Sequence, residues 1–362
     1  MKIFKTLASA FFVLAGCGLW SCSSYEPLEG PVDIKPREGQ LIVALDAPST
    51  AGRTDDFESR INIQHVKSVE IYVFEGKDGD AVFRHQEPIT WPDNSAGSTE
   101  DTERAKVLQY SDIKGNTAYT FVAVGLDDHS PSALSFDVEK DVTKLKEFIA
   151  KVTGTQADMA ASEFFAGSTV ATTSANGSGL VHIDMYRRVA RIQGWFHGIP
   201  SGVTALQIEL WKDQNASVGI VPVTGTDAAT YYDYLSSPTI AESKVLARGE
   251  FADGAYSATI TENPSAPVLS LGAYLLPLER PSEGTYTIKV SLYKGTTLVK
   301  SFTALDQNEI DAVTGDSHIF PIRANHYYSF GTDTTPLDIE IPSGDLIITH
   351  GPWQYSIDIP LD

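Results

Sequence analysis

Residues 181–199, VHIDMYRRVARIQGWFHGI, constrain what this chain can build more than any other stretch. Val181, Ile183 and Met185 alternate with polar neighbours, the pattern of a half-buried strand. Beyond Arg187 and Arg188 the apolar positions change parity, with Ala190 and Ile192 on the new phase beside Val189. Side chains along a strand alternate with period two, so a strand that swaps its apolar face cannot serve one core along its whole length. It can serve two in succession. The stretch therefore reads as the last strand of one β-domain running into the first strand of the next, which divides the chain into domains at 40–188 and 189–362.

The length supports that division, since 362 residues suffice for two ordinary domains that each bury a core. Hydrophobic residues make up 42% and charged residues 20%, a globular composition, and the formal net charge of −20 repels nucleic acid and acidic bilayer surfaces alike. The first 22 residues read as a leader. Lys2 and Lys5 form a short positive region, and residues 6–20 are apolar or small but too few for a secure membrane span. Leu14-Ala15-Gly16-Cys17 matches a bacterial lipobox, in which the cysteine is acylated and becomes the new N-terminus. Cys22, after Leu19-Trp20-Ser21, is the alternative: bulky Trp20 fits less well, yet cleavage there leaves no spare thiol. Both cysteines lie in this region, so disulfides and cysteine metal sites are excluded from the folded part. Residues 23–39 are polar, carry Pro27, Pro31 and Pro36, and read as a tether.

Strands are expected at residues 41–45 (LIVAL), at 69–74 (VEIYVF), and at 119–126 (YTFVAVGL), the last a central strand because it is almost continuously apolar. Residues 77–106 look polar and irregular. One helix is expected, with Val142, Leu145, Phe148, Ile149 and Val152 at helical spacing, Asp141 as its cap and Gly154 as its stop. The second half alternates strand and turn, at 206–211, 274–276 and 286–292, with 298–302 closing a hairpin over Lys294-Gly295-Thr296. The expected class is mainly β, two sandwiches with one short helix in the first. At the C-terminus Trp353, Tyr355, Ile357, Ile359 and Leu361 occupy every second position, and Pro360 confines that end to a sheet edge. The segment is either an ordinary last strand or one that adds to another molecule's sheet.

No catalytic or cofactor motif emerges. There is no GxSxG, HExxH, P-loop or dinucleotide fingerprint. The eight histidines are scattered, with no pair at the i, i+4 spacing of a helical metal site. Asp78-Gly79-Asp80 lacks the spacing and closing Glu of a calcium loop. Trp91, Trp195 and Trp211 could stack on a sugar, although tryptophans in strands usually belong to the core. No enzyme activity and no metal or cofactor are therefore expected.

The leader, the early strand, the loop TAGRTDDF with Arg53, the segments VKSVEIYVFEG and YTFVAVGL, the mid-chain DMYRRVARI, the late ANHYYSF and the terminal strand with Trp353 occur in an order that resembles the fimbrillin family, the subunits of type V pili of Bacteroidales. The resemblance implies two transthyretin-like β-sandwich domains, export as a lipoprotein, and assembly at the outer membrane as part of a cell-surface fimbria that contributes to adhesion. Its implied partners are other fimbrial subunits, the membrane through the lipid, and a host or bacterial surface ligand. In polymerising members a trypsin-like protease cuts after an arginine that follows the first strand, and a strand from another subunit fills the slot left behind. On this sequence the cut falls after Arg53, with Arg60 or Arg37 as alternatives. The released strand is 41–45 and the donor is Trp353, Tyr355, Ile357, Ile359 and Leu361. An anchor or tip subunit of the same family need not be cut. The competing expectation is a surface lipoprotein that binds glycans.

Overall fold

A computed structural model describes residues 38–46, 66–90, 105–220, 239–306, 317–339 and 346–352. The first half contributes β1 (Gln40–Asp46), β2 (Ser68–Glu75), β3 (Val82–Thr90), β4 (Ala105–Gln109), β5 (Ala118–Leu126), β6 (Leu134–Ser135), β7 (Ile149–Val152), β8 (Phe164–Thr172), β9 (Gly179–Asp184) and β10 (Tyr186–Arg187). The second half contributes β11 (Ala190–His197), β12 (Ala205–Leu210), β13 (Ser217–Gly219), β14 (Val245–Glu250), β15 (Leu269–Leu275), β16 (Ile288–Lys294), β17 (Thr297–Asp306), β18 (His326–Phe330), β19 (Leu337–Asp338) and β20 (Leu346–Pro352). The described residues belong to one compact unit that starts at Pro36.

Three sheets organise the first half. A three-stranded sheet runs β4-β1-β9, and a five-stranded sheet runs β10-β8-β5-β2-β3. Leu41, Val43, Leu45, Val181 and Ile183 of the first meet Val69, Ile71, Val73, Phe121 and Phe165 of the second in one buried cluster. The opposite face of the five-stranded sheet is buried too, because Tyr72, Phe74, Val122, Val124 and Phe164 enter a second cluster. With apolar contacts on both sides, β5 has no solvated face, which is why 119–126 is an unbroken apolar run. The third sheet, β13-β7-β6, mixes the halves: Val218 of β13 pairs with Ala150 of β7.

The second half forms a nine-stranded sheet ordered β14-β12-β16-β17-β20-β18-β11-β15, with β19 also pairing β11. Its two ends approach each other, since Gly249 of β14 lies against the side chains of Leu269 and Leu271 of β15. The sheet is curled around its own core, which holds Ile192, Phe196, Leu206, Ile208, Val290, Phe302, Tyr328 and Ile348.

The stretch at 181–199 is three strands, not one. Val181, Ile183 and Met185 point into the first cluster, Val189 into the second, and Ala190 and Ile192 into the core of the curled sheet. At Met185 the chain leaves the three-stranded sheet, and β10 then pairs briefly with β8. Gly167 of β8 makes that crossing possible: a Cβ there would collide with the carbonyl of Asp184.

Four local expectations need correction. The helix over 142–152 does not form. Residues Leu145–Glu147 make a single 3-10 turn, and Ile149–Val152 are strand β7, paired on both sides by β6 and β13. Of the residues in the expected stripe, Phe148 is buried together with Ala150 two positions on, a strand period, while Val142 is exposed. Asp141 caps nothing; its backbone is left-handed (φ 64°) and its carboxylate accepts from Arg84. Among the described residues the α-helices are two short segments elsewhere, Ser130–Ala133 and Gln156–Ala161. The second is fixed by a capping box in which Thr155 Oγ1 accepts from Asp158 N at 3.2 Å and Asp158 accepts from Thr155 N at 2.7 Å. Finally, β3 runs through the region expected to be irregular, with a register shift opposite Val73 and Phe74 that breaks its alternation.

Candidate functional site

The element most exposed to functional consequence is β1, because it is the middle strand of its sheet. It pairs antiparallel with β4, Gln40 opposite Gln109 through Ala44 opposite Ala105. On its other side it pairs parallel with β9, Leu41 opposite Gly179 through Asp46 opposite Asp184. Its odd side chains, Leu41, Val43 and Leu45, fill the space between the two sheets. Burial of three such aliphatic groups contributes about 1.5–3 kcal/mol each. Ile42 points the other way, flanked by Val107 and Leu180, and is only 4% exposed although those neighbours are 42% and 69% exposed. One face of β1 is therefore buried along its length, and on the other Ile42 is protected between its neighbours.

Entry to β1 is shaped by a turn. Gly39 adopts a left-handed conformation (φ 71°) and donates from its N–H to Asn176 O at 2.9 Å. Asn176 sits in the loop between β8 and β9, where Ser174 and Ser178 hydrogen-bond one another and the Asn176 side chain. Gly179 then lets Leu41 lie flat, since a Cβ there would meet Leu41 Cδ2 at 3.0 Å. Removing β1 would leave the facing backbones of β4 and β9 about two strand spacings apart, roughly 9.5 Å, over an apolar floor. Such a slot accepts an extended segment with alternating apolar side chains.

Downstream of β9 lies a buried charged junction. Arg187 forms an ion pair with Glu163, both essentially excluded from water, and its guanidinium lies 5.0 Å from the Phe165 ring centre. Arg188 donates to Gly219 O at 2.7 Å, reaching the end of β13. Arg191 lies 4.8 Å from the Tyr274 ring centre. Burial, followed by the nearby Glu163 carboxylate, pushes the Tyr274 phenol up to about 12, so it stays neutral. Asp127 closes the other side of the junction, accepting from Ser130 N and Oγ at 2.6 Å and from Glu163 N at 2.9 Å. These contacts tie together β8, β10, β11, β13 and β15.

A cleft of about 270 Å³ near the far end of β2 is lined by Glu75, Arg84, His85, Asp112, Lys114 and Lys140 among others. These charges already neutralise one another: Arg84 Nε lies 2.9 Å from Glu75, Lys114 2.5 Å from Glu75, and His85 Nε2 2.8 Å from Asp112. His85 stacks on Tyr110 at 3.7 Å. Burial lowers the His85 pKa, and Asp112 only partly offsets it. Among the described residues no group of three or more His, Cys, Asp or Glu is placed to hold a metal. Asp80 is held by Lys144 and Lys146, not by a cation. Trp195 is buried and Trp211 partly so, with Lys212 over its ring at 5.4 Å.

Of the residues singled out from sequence, Cys17, Cys22, Arg37, Arg53, Arg60, Trp353, Tyr355, Ile357, Ile359 and Leu361 lie outside the described residues, as does Trp91. The expected first strand is present as β1. Its central place between β4 and β9 was not legible, because nothing in LIVAL says which strands flank it. The last described strand, β20, was also missed. It lies between β17 and β18, and its signal was the short run Leu346-Ile347-Ile348.

Residues 54–354 match the family model of the fimbrillin-A associated anchor proteins Mfa1 and Mfa2. The chain belongs to this family. Among solved structures it is similar to the fimbrial anchor protein Mfa2 from Porphyromonas gingivalis, at 11% identity over 87% of this chain and 97% of that one, with a TM-score of 0.42. A candidate adhesin from Bacteroides thetaiotaomicron shares 12% identity over 89% of this chain and 98% of its own, TM-score 0.46. A fimbrial assembly protein from Parabacteroides distasonis shares 14% over 80% and 89%, TM-score 0.38. No match is found among curated proteins. This fimbrillin-A anchor family is of the type that the order of motifs resembled.

Proposed function

We propose that this chain is a structural, non-enzymatic fimbrial subunit that acts at the attached end of the fimbria. Membership of an anchor-protein family supports this reading, and the observation that carries it is the position of β1, clasped on both sides with Leu41, Ile42, Val43 and Leu45 buried. In this reading the chain is exported as a lipoprotein, acylated at Cys17 (alternatively Cys22), and joined to the cell surface through the polar tether at 23–39. That tether enters the fold at Gly39 and becomes β1. An anchor must keep β1, because loss of the strand would sever the lipid from the rest of the chain.

Strand exchange enters through the partners. The alternating segment with Trp353, Tyr355, Ile357, Ile359 and Leu361 is the proposed donor to a neighbouring subunit's slot. Arg53, with Arg60 or Arg37 as alternatives, is the proposed cleavage point should the chain instead be processed. Adhesion would then be a property of the assembled fimbria. The glycan-binding alternative gains nothing from Trp195, which is buried in the second half.

The test is metabolic labelling with an alkyne fatty acid in cells, followed by membrane fractionation and intact mass. The expected result is a labelled, membrane-bound chain that retains residues 40–46, with the label lost in Cys17→Ser or, for the alternative site, Cys22→Ser. A mature chain that begins just after Arg53 would overturn the anchor reading and make this a strand-exchanging shaft subunit. An unlabelled, soluble chain would refute both.

A further inference from the structure

We propose that the parallel pair β1–β9 is the mechanical clamp of this molecule, the contact that resists tension between the attached N-terminus and the second half. The proposal rests on the reading of the N-terminus as the attached end. The structural basis is the direction of the strands. β1 and β9 run side by side in the same direction with six residue pairs in register, Leu41 opposite Gly179 to Asp46 opposite Asp184. The chain upstream of β1 leaves the pair at the Gln40 end. The chain downstream of β9 leaves it at the opposite end and passes within a few residues, through β10, into β11 of the curled sheet.

A pull on the N-terminus against a pull on the second half therefore drags the two strands past one another along their axes. Every ladder hydrogen bond is then loaded at once and must fail together. The antiparallel neighbour offers the opposite case. Gln40 of β1 faces Gln109 of β4, so the upstream end of β1 and the downstream end of β4 lie at the same edge. Tension between those two ends peels the pair open one hydrogen bond at a time. Sliding along β9 is opposed further by packing, because Leu41, Val43 and Leu45 are buried with Val181 and Ile183 in one cluster against the five-stranded sheet.

The two directions can be compared in one protein by single-molecule pulling on the chain from Ser23 onward, which keeps all the described residues and lacks both native cysteines. Handles at Glu38→Cys and Lys294→Cys, both exposed positions, pull the N-terminus against the second half and so load β1–β9. Handles at Glu38→Cys and Ser111→Cys load β1–β4 from one end. Neither pair touches a core residue, so folding is not at stake. At equal loading rate the first pair is expected to need a severalfold higher force for its first event. That event should free the chain from Glu38 to Val66, which is held in the core, roughly 95 Å at ~3.4 Å per residue. Equal forces in the two directions, or a first event in which the second half opens while β1 stays bound, would overturn the clamp. Labelling with fatty acid is independent of this measurement, so a weak clamp in a lipid-bound protein removes only this inference, and a strong clamp in an unlipidated one removes only the anchor reading.

Discussion

Arg187 and Glu163 show how much a single pair can hold here. Both are buried, and each stands on a different strand or loop beside the passage from β10 to β11. Removing one partner leaves a bare charge in a water-poor site, which costs about 3–5 kcal/mol, whereas replacing both with apolar groups of similar size is close to neutral. Arg187→Met is therefore expected to lower stability by several kcal/mol in urea unfolding, and Arg187→Met with Glu163→Leu to recover most of it. His85 gives a second prediction, in pH. Its folded pKa is depressed, chiefly by burial, so the native state holds fewer protons than the unfolded state in that range. The stability this contributes is complete above the unfolded value of about 6.5 and is lost as pH falls below it. Lys140 and Arg84 near the ring lower the His85 pKa further, while Asp112 raises it in partial compensation, and Tyr110 stacks on the ring. In His85→Gln, urea midpoints measured at a series of pH values should fall less steeply below pH ~6.5 than in the parent.

At the scale of elements, β1 makes the clearest prediction. Val43→Asp would place a carboxylate between the two sheets, at a cost of several kcal/mol. The expected outcome is loss of the folded monomer, seen as collapse of the thermal transition in circular dichroism; a protein that melts normally would show that β1 is dispensable. Legibility also differs by element. β1, β2 and β5 announce themselves through alternation or continuous apolar runs. β3 does not, because a register shift after Arg84 and Pro88 near its end break the period. β7 was mistaken for a helix because a 3-10 turn and a strand placed in series leave apolar residues at spacings of three and four. Such spacing is ambiguous over a dozen residues, and pairing partners distant in sequence decided the outcome. The junction arginines could be noticed in the motif DMYRRVARI. Glu163, Gly219 and Tyr274, which receive them, carry no local signal.

For the whole molecule, the second cluster is the decisive feature. It joins Tyr72, Phe74, Phe148 and Phe164 of the first half to Val189, Val218, Ile220, Tyr274 and Leu276 of the second. Halves that share a core cannot lose it separately. Calorimetric unfolding of the chain from Ser23 onward is expected to give one transition, with equal calorimetric and van't Hoff enthalpies. Two resolved transitions would show that each half closes its own core.

The sheet β13-β7-β6 carries this into the order in which the protein comes to exist. β7 is complete more than 60 residues before β13 has been made. A nascent chain that emerges N-terminus first must therefore wait with one side of β7 unpaired and the aromatic cluster on its five-stranded sheet incomplete, without Val218, Ile220, Tyr274 and Leu276. Its early portion ripens late, and a ribosome stalled before Val218 would leave a fragment with a sticky edge and nothing to close it.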